Sequence, residues 1–195
     1  MSRSPLIIVS GPSGVGKTTV IQRLLADASL PLRLSVSATT RKPRAGEVDG
    51  QHYHFWDRDR FEAGIAAGQF LEYAQVHGNY YGTLRDEVER HRDCQTGVIL
   101  DIDVQGFFQV RQHCDDYLSI FLYVPEDRYE ARLRNRASED EAAIQRRLQT
   151  ARWEITQAGE YMVQLVNEDL DETVSRVQQL IRDQYQRRGG SCSTI

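Results

Sequence analysis

Gly11-Pro12-Ser13-Gly14-Val15-Gly16-Lys17-Thr18 fits the pattern G-x-x-x-x-G-K-[ST] at every required position. The loop follows Leu6 to Ser10, a short apolar run suited to a strand buried on both faces. It precedes Val20, Ile21, Leu24, Leu25 and Ala28, which recur at helical spacing. Strand, glycine loop and helix is the order this motif needs. The glycines let the backbone turn so that successive N–H groups and the helix N-terminus face anionic phosphates. Lys17 is placed to reach the β and γ phosphates of a nucleoside triphosphate, and the Thr18 hydroxyl to ligate Mg²⁺. Taken alone, the loop specifies a bound triphosphate and leaves GTPase, ATPase and small-molecule kinase open.

Similar apolar runs return at Val98 to Ile102, Leu118 to Val124 and Tyr161 to Val166, with helical patterns between or after them. The expected class is α/β, a phosphate-loop core whose parallel sheet is flanked by helices. In the last helix Leu170, Val174, Val177 and Ile181 share a face, and Asp169 or Asp171 caps its start. Two stretches break the alternation. Residues 45–83 are rich in aromatics and glycines, which predicts short strands rather than a long helix, inserted as a substrate-binding subdomain. Residues 126–147 are dense in charge and read as a mobile helical lid.

At 195 residues, 40% apolar and 27% charged, the chain suits one soluble domain with small insertions. Its apolar runs fall far short of the roughly 18 residues of a membrane span, and no secretory signal is apparent, so a cytoplasmic location is expected. Cys94, Cys114 and Cys192 lack metal-type spacing and are read as reduced thiols. His52 and His54 lie two apart but have no third ligand near them in sequence. Trp56 and Trp153 are read as packing residues. A net charge of −4 argues against general nucleic-acid binding.

Of 24 cationic residues only Lys17 and Lys42 are lysines. Arginine, a bidentate fork for phosphate, supplies the rest. Arg41, Lys42 and Arg44 crowd together beside the hydroxyls of Ser37, Thr39 and Thr40, which suits a second phosphate site completed by tyrosines such as Tyr53 and Tyr81. Asp103-Val104-Gln105-Gly106 matches the D-x-x-G of GTPases, yet no N-K-x-D accompanies it.

The run from Thr39 to Gly50, then His52-Tyr53-His54-Phe55, closely resembles guanylate kinases. So do Phe70-Leu71-Glu72-Tyr73-Ala74, Gly78 to Thr83, Ile99 to Gly106 and Val166 to Leu170. The resemblance spans roughly residues 6–182 and implies Mg²⁺-dependent transfer of the ATP γ-phosphoryl group to GMP. It assigns ATP to Gly11, Pro12, Ser13, Gly14, Val15, Gly16, Lys17, Thr18 and Thr19. It assigns guanine to Ser37, Glu72 and Thr83, and the GMP phosphate to Arg41, Arg44, Tyr53 and Tyr81. Asp103 joins the GMP site, and Asp101 or Asp103 meets the metal through water. Lys17, Arg44, Arg132, Arg136 and Arg147 are the implied catalytic cations. Ala137 stands where the family often has glycine.

The resemblance divides the chain into a core of about 1–36, 95–125 and 148–188, a mixed β GMP-binding region of about 37–94, a lid of about 126–147 and a flexible tail at 189–195. It implies ATP and GMP, with dGMP, as partners, no nucleic acid or membrane, and a monomer or homodimer. Chemistry supports Glu72 independently: a carboxylate accepts both N1–H and the 2-amino group of guanine, whereas adenine has an acceptor at N1 and no 2-amino group. Competing readings are a non-catalytic scaffold of related fold, which typically lacks an intact phosphate loop, and another nucleotide kinase or a GTPase.

Overall fold

Leu6–Ser10 forms strand β1, buried along its whole length because helices cover both faces. The computed structural model describes residues 3–134 and 141–189, except the side chains of Arg132 and Leu133. After β1 come α1 (Lys17–Leu25), β2 (Leu32–Leu34), β3 (Ala38–Thr39), β4 (His54–Phe55), α2 (Arg58–Ala66), β5 (Phe70–Val76), β6 (Asn79–Leu84) and α3 (Arg85–Asp93). The chain continues through β7 (Gly97–Asp101), α4 (Val104–Arg111), β8 (Leu118–Tyr123), α5 (Glu126–Arg134), α6 (Glu141–Thr156), a 3₁₀ turn at Ala158–Glu160, β9 (Val163–Val166) and α7 (Leu170–Arg187).

The main sheet has the order β2-β7-β1-β8-β9 with every pairing parallel. Successive strand residues point to opposite faces, so the sheet feeds two cores. Ile7, Val9, Ile99, Ile120 and Leu122 pack with α1, α6 and α7. Leu6, Ile8, Val98, Leu100 and Phe121 pack with Val88 of α3 and with Val104, Phe107 and Val110 of α4. Asp169 caps α7, its Oδ1 accepting from the Glu172 N–H at 2.9 Å.

The inserted region forms a second sheet of order β4-β3-β6-β5, with its own cluster of Ala38, Phe61 and Phe70 backed by Trp56, Ile65 and Tyr80. The expectation of short strands holds at β4, β5 and β6 but is corrected at Arg58–Ala66, which is helical. Asp57 caps that helix by accepting from the Arg60 N–H at 2.7 Å, and Phe61 and Ile65 lie one turn apart facing the cluster. Aromatic content alone masked this spacing. Trp56 packs as expected; Trp153 is corrected, being exposed on α6. The expected lid boundary at 147 falls inside α6, which continues to Thr156. Arg136, Ala137, Cys192 and the tail beyond Gly189 lie outside the described residues, whereas Cys94 and Cys114 carry free thiols. Among the described residues no helix is long and apolar enough to cross a membrane.

At the end of the sheet remote from the phosphate loop, one carboxylate ties four segments together. Arg92, buried at 4% exposure, donates through Nε to the Ser4 carbonyl and through Nη2 to Asp116 Oδ2, both at 2.7 Å. Arg188, just past α7, also donates to both carboxylate oxygens of Asp116. Arg188, then Arg92, holds the Asp116 carboxyl below its ordinary range. A depressed carboxylate contributes stability above its unfolded pKa and loses it as pH falls through the folded pKa. Asp116→Asn therefore lowers Tm near neutral pH by about 2–10 °C, since the buried Arg92 guanidinium loses its charged partner. In melting curves, the gap from the parent narrows as the solution is acidified below about pH 4.

Candidate active site

The phosphate loop leaves the C-terminal end of β1, between β7 and β8, where parallel α/β sheets hold their ligands. At Gly11 φ is +142°, and a Cβ there would lie 1.9 Å from the Leu122 carbonyl oxygen, so only glycine allows the chain past β8. Gly16 has φ +99°, and its missing Cβ would lie 2.6 Å from Asn167 Nδ2. That amide donates to the Val15 carbonyl at 2.7 Å and braces the loop from below. Lys17 folds back to donate to the Gly11 carbonyl at 2.7 Å. Pro12 accepts from the Val15 N–H at 3.3 Å, and Gly14 also has positive φ.

Thr18 and Thr19 stand exposed in the first turn of α1. Gly16 gives that helix no side-chain cap, and no acidic residue lies in its first turn, so N–H donors remain for an anion. The charged helices reach the loop at Ser13. Tyr129 Oη of α5 donates to its carbonyl at 3.0 Å, and Arg147 Nη2 of α6 donates to its Oγ at 2.8 Å. Arg132 lies on α5, but its side chain, like all of Arg136, falls outside the described residues.

Three carboxylates share this end of the sheet. Asp101 closes β7 in register with Val9; surrounding protein raises its pKa, and Lys17 pulls it back. Asp103 caps α4, its Oδ1 accepting from the Gly106 N–H at 2.8 Å, so one oxygen already has a structural partner. Glu154 of α6 is buried, and burial raises its pKa against the attraction of Lys17. It lines a cavity of about 520 Å³ with Ser13, Tyr129, Arg147 and His77, the last from the tip of the β5–β6 hairpin. A larger cavity of about 930 Å³, lined by Trp56, Arg60, Asp86 and Glu87, includes no phosphate-loop residue.

In the inserted sheet, the expected cation cluster is more organised than its composition suggested. Arg41 forms a two-pronged pair with Glu47, Nη1 to Oε2 at 2.9 Å and Nη2 to Oε1 at 2.8 Å, and Nη1 also donates to the Lys42 carbonyl. Its guanidinium carbon lies 5.5 Å from the Tyr53 ring centre and 5.8 Å from that of Phe55, while Tyr53 and Tyr81 meet edge-on at 6.0 Å. Arg44 is exposed, and its backbone N–H donates to Glu47 Oε2 at 2.6 Å. The Arg41 hydrogen bonds, then the Arg44 amide, hold Glu47 at about 2. The hydroxyls of Thr39 and Thr40, which stand beside the cations in sequence, are tied to the Tyr80 backbone at 2.9 Å each.

Beside this cage, Glu72 of β5 faces Thr83 of β6 in register. The Thr83 hydroxyl donates to Glu72 Oε1 at 2.6 Å with both residues buried. Burial raises the Glu72 pKa, the Thr83 hydrogen bond opposes it, and Asp103 adds to the rise. Ser37 is half-buried just before β3, its carbonyl accepting from the His54 N–H. His52 Nδ1 accepts from the Val48 N–H at 3.0 Å, and among the described residues no group of three or more His, Cys, Asp or Glu is placed to hold a metal.

Sequence reasoning did not assign Asn167, Glu154, Tyr129 or the bracing part of Glu47. Glu154 carried a signal: it continues the buried stripe of Ile144, Leu148 and Ala151, where a carboxylate is out of place.

A phosphate-loop α/β core with a second cluster of cations and tyrosines on an inserted sheet defines a nucleotide-binding protein of the P-loop class. The family model described as guanylate kinase matches residues 3–184. A guanylate kinase of Prochlorococcus marinus subsp. pastoris is 46% identical over 91% of this chain and 96% of its own length. One from Latilactobacillus sakei subsp. sakei is 43% identical over 95% and 92%. The crystal structure of guanylate kinase from Anaplasma phagocytophilum superposes with a TM-score of 0.72 at 32% identity, covering 98% of this chain and 90% of that one. The chain belongs to the guanylate kinase family.

Because Asn167 braces the loop through a single amide, Asn167→Ala leaves the Val15 carbonyl without that donor. The expected outcome is a rise of about tenfold in KM for ATP, with KM for GMP little changed, in steady-state kinetics.

Proposed function

We propose that this kinase, an ATP:GMP phosphotransferase by family, holds ATP on Gly11–Thr19 and GMP between Ser37 and Thr83, with Asp103 at the junction. The observation that carries the reading is the buried Glu72–Thr83 pair. Its carboxylate has one oxygen oriented by a hydroxyl, in a setting that favours a ligand offering two adjacent donors. AMP leaves that carboxylate facing an acceptor, and an unpaired buried polar group rejects a wrong ligand by as much as about 10⁴ to 10⁵. Arg44, with Arg41 set by Glu47 and the hydroxyls of Tyr53 and Tyr81, takes the GMP phosphate.

In the transfer, a GMP phosphate oxygen attacks the γ-phosphorus in line while the ADP oxygen leaves. The protein contributes position and charge. Lys17 exchanges the Gly11 carbonyl for phosphate oxygens, and Arg147, already on Ser13, extends to the triphosphate with Arg132 and Arg136. These cations offset the mutual repulsion of two polyanions. Thr18, with Asp101 or Asp103 through water, would hold Mg²⁺, which when bound would supply neutralisation of the charge that develops on the phosphates. Closure of the charged helices over bound nucleotides is the step that excludes water and limits wasteful ATP hydrolysis. We place the enzyme in the cytoplasm as a monomer or homodimer that also accepts dGMP.

Lys17→Ala is expected to reduce kcat by several orders of magnitude with Tm little changed, checked by coupled ADP release and melting. Offering AMP, CMP, UMP and GMP as acceptors tests base choice directly, and equal rates with all four would overturn it. Glu72→Gln is expected to lower the GMP-to-AMP preference by at least about 100-fold. Because Glu72 titrates above the usual glutamate range, KM for GMP rises as pH falls through that raised pKa. Glu72→Gln removes that rise.

A further inference from the structure

Strand β5 is an edge of the inserted sheet, so one side of its backbone has no partner strand. At Tyr73, immediately after Glu72, that side is occupied by a side chain from the core. Gln109 of α4 accepts from the Tyr73 N–H at 3.1 Å through Oε1 and donates to the Tyr73 carbonyl at 3.0 Å through Nε2. The amide thus reproduces the pair of bonds that a neighbouring strand would make.

One turn earlier on the same helix face, a Cβ at Gly106 would lie 3.2 Å from Glu72 Oε2 and 3.5 Å from Asp103 Oδ1. The Glu72 carboxylate is therefore seated against the bare backbone of α4. Positions 103, 106 and 109 recur at helical spacing, so a cap, a gap and a clamp lie along one stripe.

We propose that Gln109 and Gly106 are positioning residues for base selectivity, together fixing the depth and angle at which Glu72 meets the purine edge. The proposal rests on the assignment of Glu72 to guanine. Both are placed to act through Glu72 and its backbone rather than on the nucleotide itself. Gln109 locks the adjacent backbone to the helix that carries Asp103, and Gly106 leaves the space the carboxylate fills. Guanine recognition is in this way tied to the core through α4 rather than held by the inserted sheet alone.

Two variants test this, with Glu72→Gln as the reference. Gln109→Met keeps length and bulk while removing both hydrogen bonds. It is expected to raise KM for GMP by about tenfold and to lower the GMP-to-AMP preference similarly, with KM for ATP within twofold of the parent. Gly106→Ala is expected to do the same, losing GMP affinity and base preference while KM for ATP stays within twofold, although the helix-forming gain of alanine is offset by the 3.2 Å approach of its Cβ to Ile102 Cβ. A structural defect would not combine those two results.

If both variants keep the parent's KM for GMP and base preference while Glu72→Gln loses preference, the positioning role is overturned and the guanine assignment stands. A matched loss of ATP and GMP affinity with a lower Tm in both variants also overturns it. If Glu72→Gln itself leaves preference unchanged, the guanine assignment fails and the proposal fails with it. Should Gln109→Met not fold, Gly106→Ala carries the test alone.

Discussion

Where β1 ends, the main chain runs so close to the Leu122 carbonyl that Gly11 has room for hydrogen only. That approach throws the chain into a loop whose amides face outward at the head of α1, and the other parts of the site are arranged around it. Asn167 holds the loop from beneath, Tyr129 and Arg147 meet it at Ser13, and Lys17 lies across it. A residue with a side chain at Gly11 would push β1 and β8 apart and open the sheet beneath the loop.

The electrostatic design follows from bringing two polyanions together. Cations are abundant, but they are not left loose: Arg41 is braced by Glu47, and Lys17 lies within the field of Asp101 and Glu154. Such pairs limit the cost of holding like charges close before substrates arrive. They also make substrate phosphate a replacement for an existing partner. The role proposed for Glu72 rests on the opposite logic: the carboxylate is buried and its pKa raised, so a ligand offering donors would relieve what burial imposes.

Helix α4 links the two halves of the site. Its capping residue Asp103 acts electrostatically on Glu72, its middle packs Val104, Phe107 and Val110 into the core, and its Gly106–Gln109 face receives β5. The inserted sheet has an apolar cluster of its own around Phe61 and Phe70, yet its edge strand is completed by the core rather than by another strand.

The phosphate loop, the parallel α/β class and the family were legible because each is local: a glycine spacing, a buried strand run, a string of contiguous motifs. Helix α2 was not, since aromatic content suits either element and only Asp57 with the Phe61–Ile65 spacing tells them apart. The sequence alone determined the phosphate loop and supplied the cations and the carboxylate proposed for phosphate and purine, because charge and hydrogen-bonding capacity belong to side-chain chemistry. Tertiary structure alone decided that Glu47 would hold Arg41, that Asn167 would support the loop from 152 positions away, and that Glu154 would look toward Lys17. Those relations depend on distance and burial, which arise only when segments remote in the chain are packed together.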